Sequence, residues 1–369
     1  MLRRLDLTNF RLFNLLYLEF EDGINIITGR NGCGKTSILE SIYYLALTKS
    51  FRTSQDFQII KHNENYFSIT GYIDTKSENK KLLRIYYSVK EGKHMFFGNK
   101  EINRYSDYIG FIPCVLLKPD DIKLALGAPS NRRKFMDILL SQLSPVYLED
   151  LRMYRRVLVQ RNALLLSEDY SNIGNQIDIW NGQLIDHGSR IIEKRLAFIN
   201  FLNKNLESYY NNFTDKNDSI NVEYHSTIVG EKKVVTLSEI KSLFDKKLSM
   251  LYKYEIYNKS TAAGPHRDDI FFYKNRRFFK DYGSQGENKS LIIALKLIEW
   301  NYLSQTHVAR PVLLLDDIFG ELDQIRMKGL LRSLKNVGQT FITTTMLDKF
   351  SSNLMNKVIQ LEGMMNNNA

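Results

Sequence analysis

Gly29-Arg30-Asn31-Gly32-Cys33-Gly34-Lys35-Thr36 is a complete G-x-x-x-x-G-K-T pattern. Before it lies a strand-like run, Ile24-Asn25-Ile26-Ile27-Thr28. After it, Ser37-Ile38-Leu39-Glu40-Ser41-Ile42-Tyr43-Tyr44-Leu45 is apolar at helical spacing. Strand, glycine loop and helix together make a phosphate site rather than a plain helix cap. Glycines let backbone N–H groups turn inward, and the helix N-terminus adds partial positive charge. The nucleotide-binding residues are therefore expected to be Gly29, Arg30, Asn31, Gly32, Cys33, Gly34, Lys35, Thr36 and Ser37. Lys35 is expected to reach the β- and γ-phosphates, and the Thr36 hydroxyl to ligate Mg²⁺. Cys33 reads as a small filler.

The second half of the site lies far downstream, Thr36 and Asp316 being 280 positions apart. Pro311-Val312-Leu313-Leu314-Leu315-Asp316-Asp317 is an apolar run tipped by two carboxylates. Such a run reads as a central parallel strand buried on both faces. Its acids fall where open α/β sheets bind ligands. Asp316 is the expected Mg²⁺ partner, and Asp317 the group that orients or deprotonates the attacking water. A third element, Tyr282-Gly283-Ser284-Gln285-Gly286-Glu287-Asn288-Lys289, precedes a helical pattern from Ser290 to Trp300. A Ser-x-Gly turn at a helix N-terminus is a second anion-binding feature. With one phosphate loop per chain, Ser284 and Gly286 suggest two chains sandwiching the nucleotide.

The 369 residues suffice for one large domain or two ordinary ones, and 43% apolar content supports a substantial core. Lys and Arg number 51 against 41 acids, a formal charge of +10. That balance favours a polyanionic partner, either nucleic acid or an anionic membrane. The two cysteines, Cys33 and Cys114, offer no disulfide framework or zinc spacing and fit a reducing cytosol. Asp6, Asn9 and Arg11 interrupt what would be a signal peptide. No run of about 18 apolar residues is present, so no membrane partner is expected.

Strand patterns cover residues 2–28 with a turn at Glu21-Asp22-Gly23, then Tyr66–Tyr72, Leu82–Val89, His94–Phe97 and Cys114–Leu117. From Ser130 to Glu207 the pattern is helical. Ser130 is the expected cap of one helix, and Ser144-Pro145 ends it and starts the next. Ile173, Ile177, Trp180, Leu184, Ile191, Phe198 and Leu202 form a narrow stripe, read as an arm or hairpin or as an ordinary helical subdomain. Residues 211–219 form a polar loop. From Thr261 the strands return, with Gln339–Thr343 as a further sheet strand, and Asn366-Asn367-Asn368 make a short polar tail. The expected fold is α/β, a nucleotide-binding head formed by both chain ends and interrupted by a helical arm-like insertion. The expected segments are 1–125 (head with phosphate loop), 126–255 (helical arm) and 256–369 (head with signature and acids).

The wording of these motifs resembles the RecF family, bacterial recombination-repair ATPases of the SMC/Rad50-like ABC superfamily. The resemblance rests on Leu7-Thr8-Asn9-Phe10-Arg11, Gly29 through Thr36, Lys49-Ser50-Phe51-Arg52-Thr53 and Pro119-Asp120-Asp121. It continues through Gly127-Ala128-Pro129 with Arg132-Arg133, Gly264-Pro265-His266-Arg267-Asp268-Asp269, Ser284-Gln285-Gly286-Glu287, Asp316-Asp317 and Glu321-Leu322-Asp323. It implies an ABC-type head and a weak, DNA-stimulated ATPase using ATP and Mg²⁺. It also implies an ATP-dependent homodimer that binds DNA at single-strand gaps or junctions with little sequence specificity, helps load recombinase, and works with RecR and RecO in the cytoplasm. The resemblance places Arg11 near the nucleotide phosphates, against the alternative of a surface charge; Arg52 is similar.

Compared with the general ABC pattern, Asp317 replaces the usual Glu. Thr343-Thr344-Thr345 stands where a switch histidine would be, and Lys118-Pro119-Asp120-Asp121 where a Q-loop would be. The RecF family shares these departures, which suggest slow, switching hydrolysis. Arg152, Arg155 and Arg156 share a helix face, with Arg132, Arg133, Lys134 and Arg161 adding basic density: either phosphate contacts or a solvated face. Tyr252, Tyr254 and Tyr257 read as packing residues. His266 is a base or part of a structured turn. A transporter subunit would carry a shorter separation between loop and acids. A nuclease-coupled ATPase would need an acid-rich domain after Asp323, and a decayed scaffold would not keep Lys35, Thr36, Ser284, Asp316 and Asp317 intact.

Overall fold

The computed structural model describes residues 1–74, 80–167, 173–230, 235–306, 309–350 and 355–361. In chain order the elements begin with β1 (Leu2–Phe10), β2 (Phe13–Glu19), β3 (Ile24–Thr28), α1 (Lys35–Leu47), β4 (Tyr66–Asp74), β5 (Lys80–Ser88), β6 (Gly92–Phe97), β7 (Lys100–Glu101) and β8 (Cys114–Leu117). Next come α2 (Lys123–Leu126), α3 (Pro129–Leu143), α4 (Pro145–Leu166), α5 (Ile173–Asn211), β9 (Ile220–His225), α6 (Leu237–Asn258), β10 (Asp269–Lys274), β11 (Arg277–Phe278), α7 (Phe279–Tyr282) and α8 (Gln285–Thr306). The chain closes with β12 (Val312–Asp316), α9 (Gln324–Leu334), β13 (Thr340–Thr344) and β14 (Lys357–Gln360).

Two compact units result, Met1–Asp121 with Glu299–Ala369, and Ile122–Ile298. In the first, five parallel strands lie in the order β14-β3-β13-β12-β8. Both chain ends therefore supply the sheet, as the split motifs require. Every residue of β3, β12 and β13 is buried, which explains the apolar run Val312–Leu315 of β12. Asn25 is a polar residue in the middle of β3. It is fully buried and its amide exchanges hydrogen bonds with the backbone of Glu21, both at 2.9 Å. A six-stranded antiparallel sheet, β2-β1-β4-β5-β6-β7, completes this unit. Helix α1 touches both sheets and buries every residue except Thr36. That is why apolar residues fall on several of its sides, with the buried Lys35, Ser37, Glu40 and Ser41 among them.

The second unit is a helical insertion around α5, whose 39 residues span about 58 Å. Ile177, Leu184, Ile191, Phe198 and Leu202 are fully buried, and α5 packs on α4, α6 and β9. The Ile173 side chain and the Asn366–Asn368 tail lie outside the described residues. The insertion also carries a three-stranded antiparallel sheet, β11-β10-β9. Residues 256–298, expected with the C-terminal part of the head, group with the insertion, and the first boundary falls at 121/122 rather than 125/126. The reason is pairing: β10 runs antiparallel to β9, from Asp269 opposite His225 to Lys274 opposite Ile220. Ser144 caps α4 as expected, its hydroxyl accepting from Tyr147 N–H at 3.2 Å. Ser130 is not a cap. Pro129 opens α3 and Ala128 takes the cap position without a side-chain bond.

Two of the arginines counted toward basic density are interior. Arg132 is buried and bidentate with Asp269 (2.7 and 2.8 Å). Arg161 and Glu255 are both fully buried and meet at 2.6 Å. Arg161 also donates to Thr261 Oγ1 and Asn181 Oδ1, and Glu255 accepts from Ala262 N–H at 2.8 Å. This pins the segment after α6 onto α4. Arg161→Met strands the buried Glu255 carboxylate, so about 3–5 kcal/mol of unfolding free energy is expected to be lost in urea titrations. A loss below about 1 kcal/mol would show that water reaches the site.

The Gly264–Asp269 segment is a structural turn. Gly264 has φ +133°, and a Cβ there would lie 2.3 Å from the Tyr154 hydroxyl oxygen. His266 Nδ1 shares a 2.6 Å hydrogen bond with Tyr154, and burial pushes its pKa down to about 4. The buried Asp268 accepts from Tyr224 Oη (2.5 Å) and from Thr227 N–H (2.7 Å).

Candidate nucleotide site

The phosphate loop leaves the C-terminal end of β3 and feeds α1. Gly32 and Gly34 adopt φ of +82° and +94°, a region costly for residues with a Cβ. At Gly34 space is a second constraint: an added Cβ would lie 2.5 Å from Phe13 Cζ. The β1–β2 turn therefore rests against the loop. Lys35 is only 7% exposed, and its ammonium donates to the carbonyls of Gly29 (2.6 Å) and Arg30 (2.9 Å). This holds the cation inside the loop's curve.

Thr36 donates through its hydroxyl to Asp316 Oδ1 at 2.9 Å, across the 280-residue separation. The parallel order explains the meeting. β13 lies between β3 and β12, so the loop and the acids emerge at the same strand ends. Asp316 is buried whereas Asp317 is exposed. Asp317 has φ +49°, a left-handed turn immediately after the strand. Its carboxyl is pushed up by partial desolvation, helped by Asp316 and Glu321 and opposed by Lys35. The Thr36 and Asp316 oxygens suit Mg²⁺, which takes few protein ligands and completes its shell with phosphate and water.

Glu40 organises a second set of groups on α1 and was missed as a functional candidate. Fully buried, it accepts from Arg11 Nη2 (2.5 Å) and Nε (2.9 Å), Ser50 Oγ (2.5 Å) and Arg52 Nη1 (3.3 Å). Arg11 also donates to the Gln58 carbonyl at 2.7 Å. Arg11 and Arg52, expected near the phosphates, are thus gathered on one acid in the helix that starts with Lys35. The available signal was a lone carboxylate within the apolar run Ile38–Leu45.

In the insertion, Ser284 and Gln285 are exposed at the start of α8. Ser284 and Glu287 form a reciprocal cap: Ser284 N–H donates to Glu287 Oε2 at 3.0 Å, and Glu287 N–H to Ser284 Oγ at 3.3 Å. Gly286 lies in the first turn. Of the basic residues, Arg152 pairs with Glu149 (2.8 Å) and Arg155 with Asp137 (3.4 Å), yet both side chains remain well exposed. Tyr252 packs beside Leu165 and Ile177, while Tyr254 and Tyr257 are exposed.

The family model for the RecF/RecN/SMC N terminal domain matches residues 1–368. The DNA replication and repair protein RecF of Streptococcus thermophilus is 39% identical over 351 residues, 95% of this chain and 94% of that protein. The chain belongs to the RecF family. The RecF protein of Chloroherpeton thalassium is 37% identical over 88% of this chain and 89% of its own. A solved structure of the recombination mediator protein RecF-ATPrS in the RecFOR pathway aligns with TM-score 0.88 at 28% identity, covering 98% of this chain and 95% of that one. The Smc head bound to the C-winged helix domain of ScpA aligns at TM-score 0.55 and 14% identity over 97% of this chain and 93% of that one, a likeness of fold alone. The RecF-family chain is accordingly an ABC-type P-loop ATPase head with a helical insertion. Among the described residues, no helix is long and apolar enough to cross a membrane.

Proposed function

We propose that this RecF-family chain is an ATP-dependent DNA-binding protein of replication and recombinational repair. The observation that carries the reading is the Thr36–Asp316 hydrogen bond beside Lys35, which joins two segments 280 residues apart, the glycine loop and the acid-tipped strand. Gly29 through Ser37 hold the ATP phosphates, and Arg11, paired with Glu40 on the helix that follows the loop, adds positive charge near them. Thr36 and Asp316 hold Mg²⁺, which when bound neutralises phosphate charge. Lys35 stabilises charge developing on the β- and γ-phosphates, and Asp317 orients or deprotonates the attacking water. Ser284 and Gly286 of a partner chain cap the nucleotide, so ATP joins two copies.

The ATP-bound homodimer binds single- and double-stranded DNA at gaps or junctions with little sequence preference and helps load recombinase. Slow, DNA-stimulated hydrolysis releases it, in the cytoplasm and together with RecR and RecO. Support for the partner comes from the formal charge of +10 and a pI near 9.2, and for the pathway from the similar RecF structures.

Sedimentation velocity with ATP or ADP, each with and without gapped duplex, tests this reading. Dimerisation and DNA co-sedimentation are expected with ATP and not with ADP. DNA affinity is expected to fall steeply with salt, the log–log slope being roughly −0.9 per phosphate neutralised. Replacing Arg152, Arg155 and Arg156 together flattens that slope if they contact DNA; an unchanged slope makes them a solvated face. A monomer that ignores DNA in every nucleotide state overturns the proposal.

A further inference from the structure

Thr343, in the Thr343-Thr344-Thr345 stretch that stands where a switch histidine would be, is fully buried on β13 directly opposite Asp316 of β12. Its hydroxyl makes two short contacts of opposite polarity. It donates to Asp316 Oδ1 at 2.8 Å and accepts from the Asp317 backbone N–H at 2.9 Å. Its alternative donor contact, to the Leu315 carbonyl oxygen, is longer at 3.4 Å. The Asp316 oxygen that it meets is also the one that accepts from Thr36.

We infer that Thr343 is a positioning residue for both acids, holding Asp316 toward Thr36 and Asp317 in its left-handed turn through a single hydroxyl. The inference rests on the ATPase reading above and deepens it. Two adjacent acids on a strand end would ordinarily point to opposite faces with independent rotamers. Here Asp317 departs from strand geometry at φ +49°, a conformation that costs a non-glycine residue free energy. The bond from its N–H to Thr343 helps hold that turn. The charge-assisted bond from Thr343 to Asp316 leaves that carboxylate less freedom to rotate away from Thr36. A chain of hydrogen bonds thus runs Thr36, Asp316, Thr343, Asp317, from the expected metal ligand to the expected water-orienting acid.

Thr343→Val keeps the shape and removes the hydroxyl, while Thr343→Ser keeps the hydroxyl and removes a methyl. In nucleotide-free protein, amide exchange at Asp317 is expected to accelerate about tenfold in the Val variant and to stay near parental in the Ser variant. With ATP, kcat in the Val variant is expected to fall about tenfold or more and half-saturating Mg²⁺ to rise, with ATP affinity within about threefold of parental; Ser restores both. A purely structural role would lower the melting temperature without this split between kcat and binding. If the Val variant does not fold, Thr343→Cys, of similar volume and with a weak donor, is measured the same way with the same expected directions. Parental exchange at Asp317 and parental kcat in the hydroxyl-less variant overturn the inference. Parental protein and Lys35→Met run alongside: absence of Lys35-dependent hydrolysis would sink the ATPase reading itself, and the exchange measurement then decides the hydroxyl's structural link separately.

Discussion

Lys35→Met is expected to abolish ATP hydrolysis and sharply weaken ATP binding while leaving the chain folded. Methionine reproduces most of the lysine stem, and α1 stays buried as before. What disappears is the ammonium that the Gly29 and Arg30 carbonyls hold at 2.6 and 2.9 Å within the loop. Losing one such preorganised donor costs on the order of 10²–10³-fold in turnover, and here the group is a full charge facing phosphate. Those two carbonyls remain close to water, so little stability is lost with the cation. Nucleotide titration with a fluorescent ATP analogue and steady-state phosphate release check the result, with circular dichroism confirming the fold. Hydrolysis at the parental rate would show that the glycine loop is not the ATP site.

Ser284→Arg is expected to leave ATP binding by the monomer almost untouched while eliminating both dimerisation and hydrolysis. Ser284 is exposed at the start of α8, where in the proposed dimer it meets the partner's nucleotide. A bulky side chain there obstructs the second head. The substitution also removes the cap shared with Glu287, worth about 1 kcal/mol. Ser284→Asp controls for this, because it keeps a capping oxygen but sets a carboxylate against phosphate; it is expected to fail in the same way. Mixing Ser284→Arg with Lys35→Met provides a complementation test. In the mixed dimer one site combines an intact loop with an intact signature and the other carries both lesions. Partial recovery of hydrolysis, absent from either variant alone, demonstrates a shared site. Loss of ATP binding by the isolated Ser284→Arg monomer would instead place Ser284 in its own chain's nucleotide pocket and end the composite model.

The glycine loop and the acid-tipped strand were legible because each depends on local spacing. Gly29, Gly32 and Gly34 occupy loop positions with positive φ that a side chain would strain. The Val312–Asp316 run announces a strand covered on both faces. The cap at Ser144-Pro145 was legible for the same reason, and Ser130 misled because Pro129 can itself open a helix. The basic cluster around α4 was misjudged at two positions. Arg132 and Arg161 resemble their solvent-facing neighbours in sequence, yet their partners Asp269 and Glu255 lie 137 and 94 residues away.

By itself, then, the sequence determined the glycine loop, the acid-tipped strand, the capped start of α8 and the assembly of one α/β head from both chain ends. Those features follow from backbone conformation and from side-chain periodicity, which are written within a few residues. Tertiary structure alone decided that β10 pairs with β9 inside the insertion, that Glu40 gathers Arg11, Ser50 and Arg52, and that one threonine hydroxyl joins both acids. A hydrogen bond between distant segments leaves no periodic trace in either. It exists only once the strand order has set Asp316 opposite Thr343 and burial has excluded the water that would otherwise satisfy both.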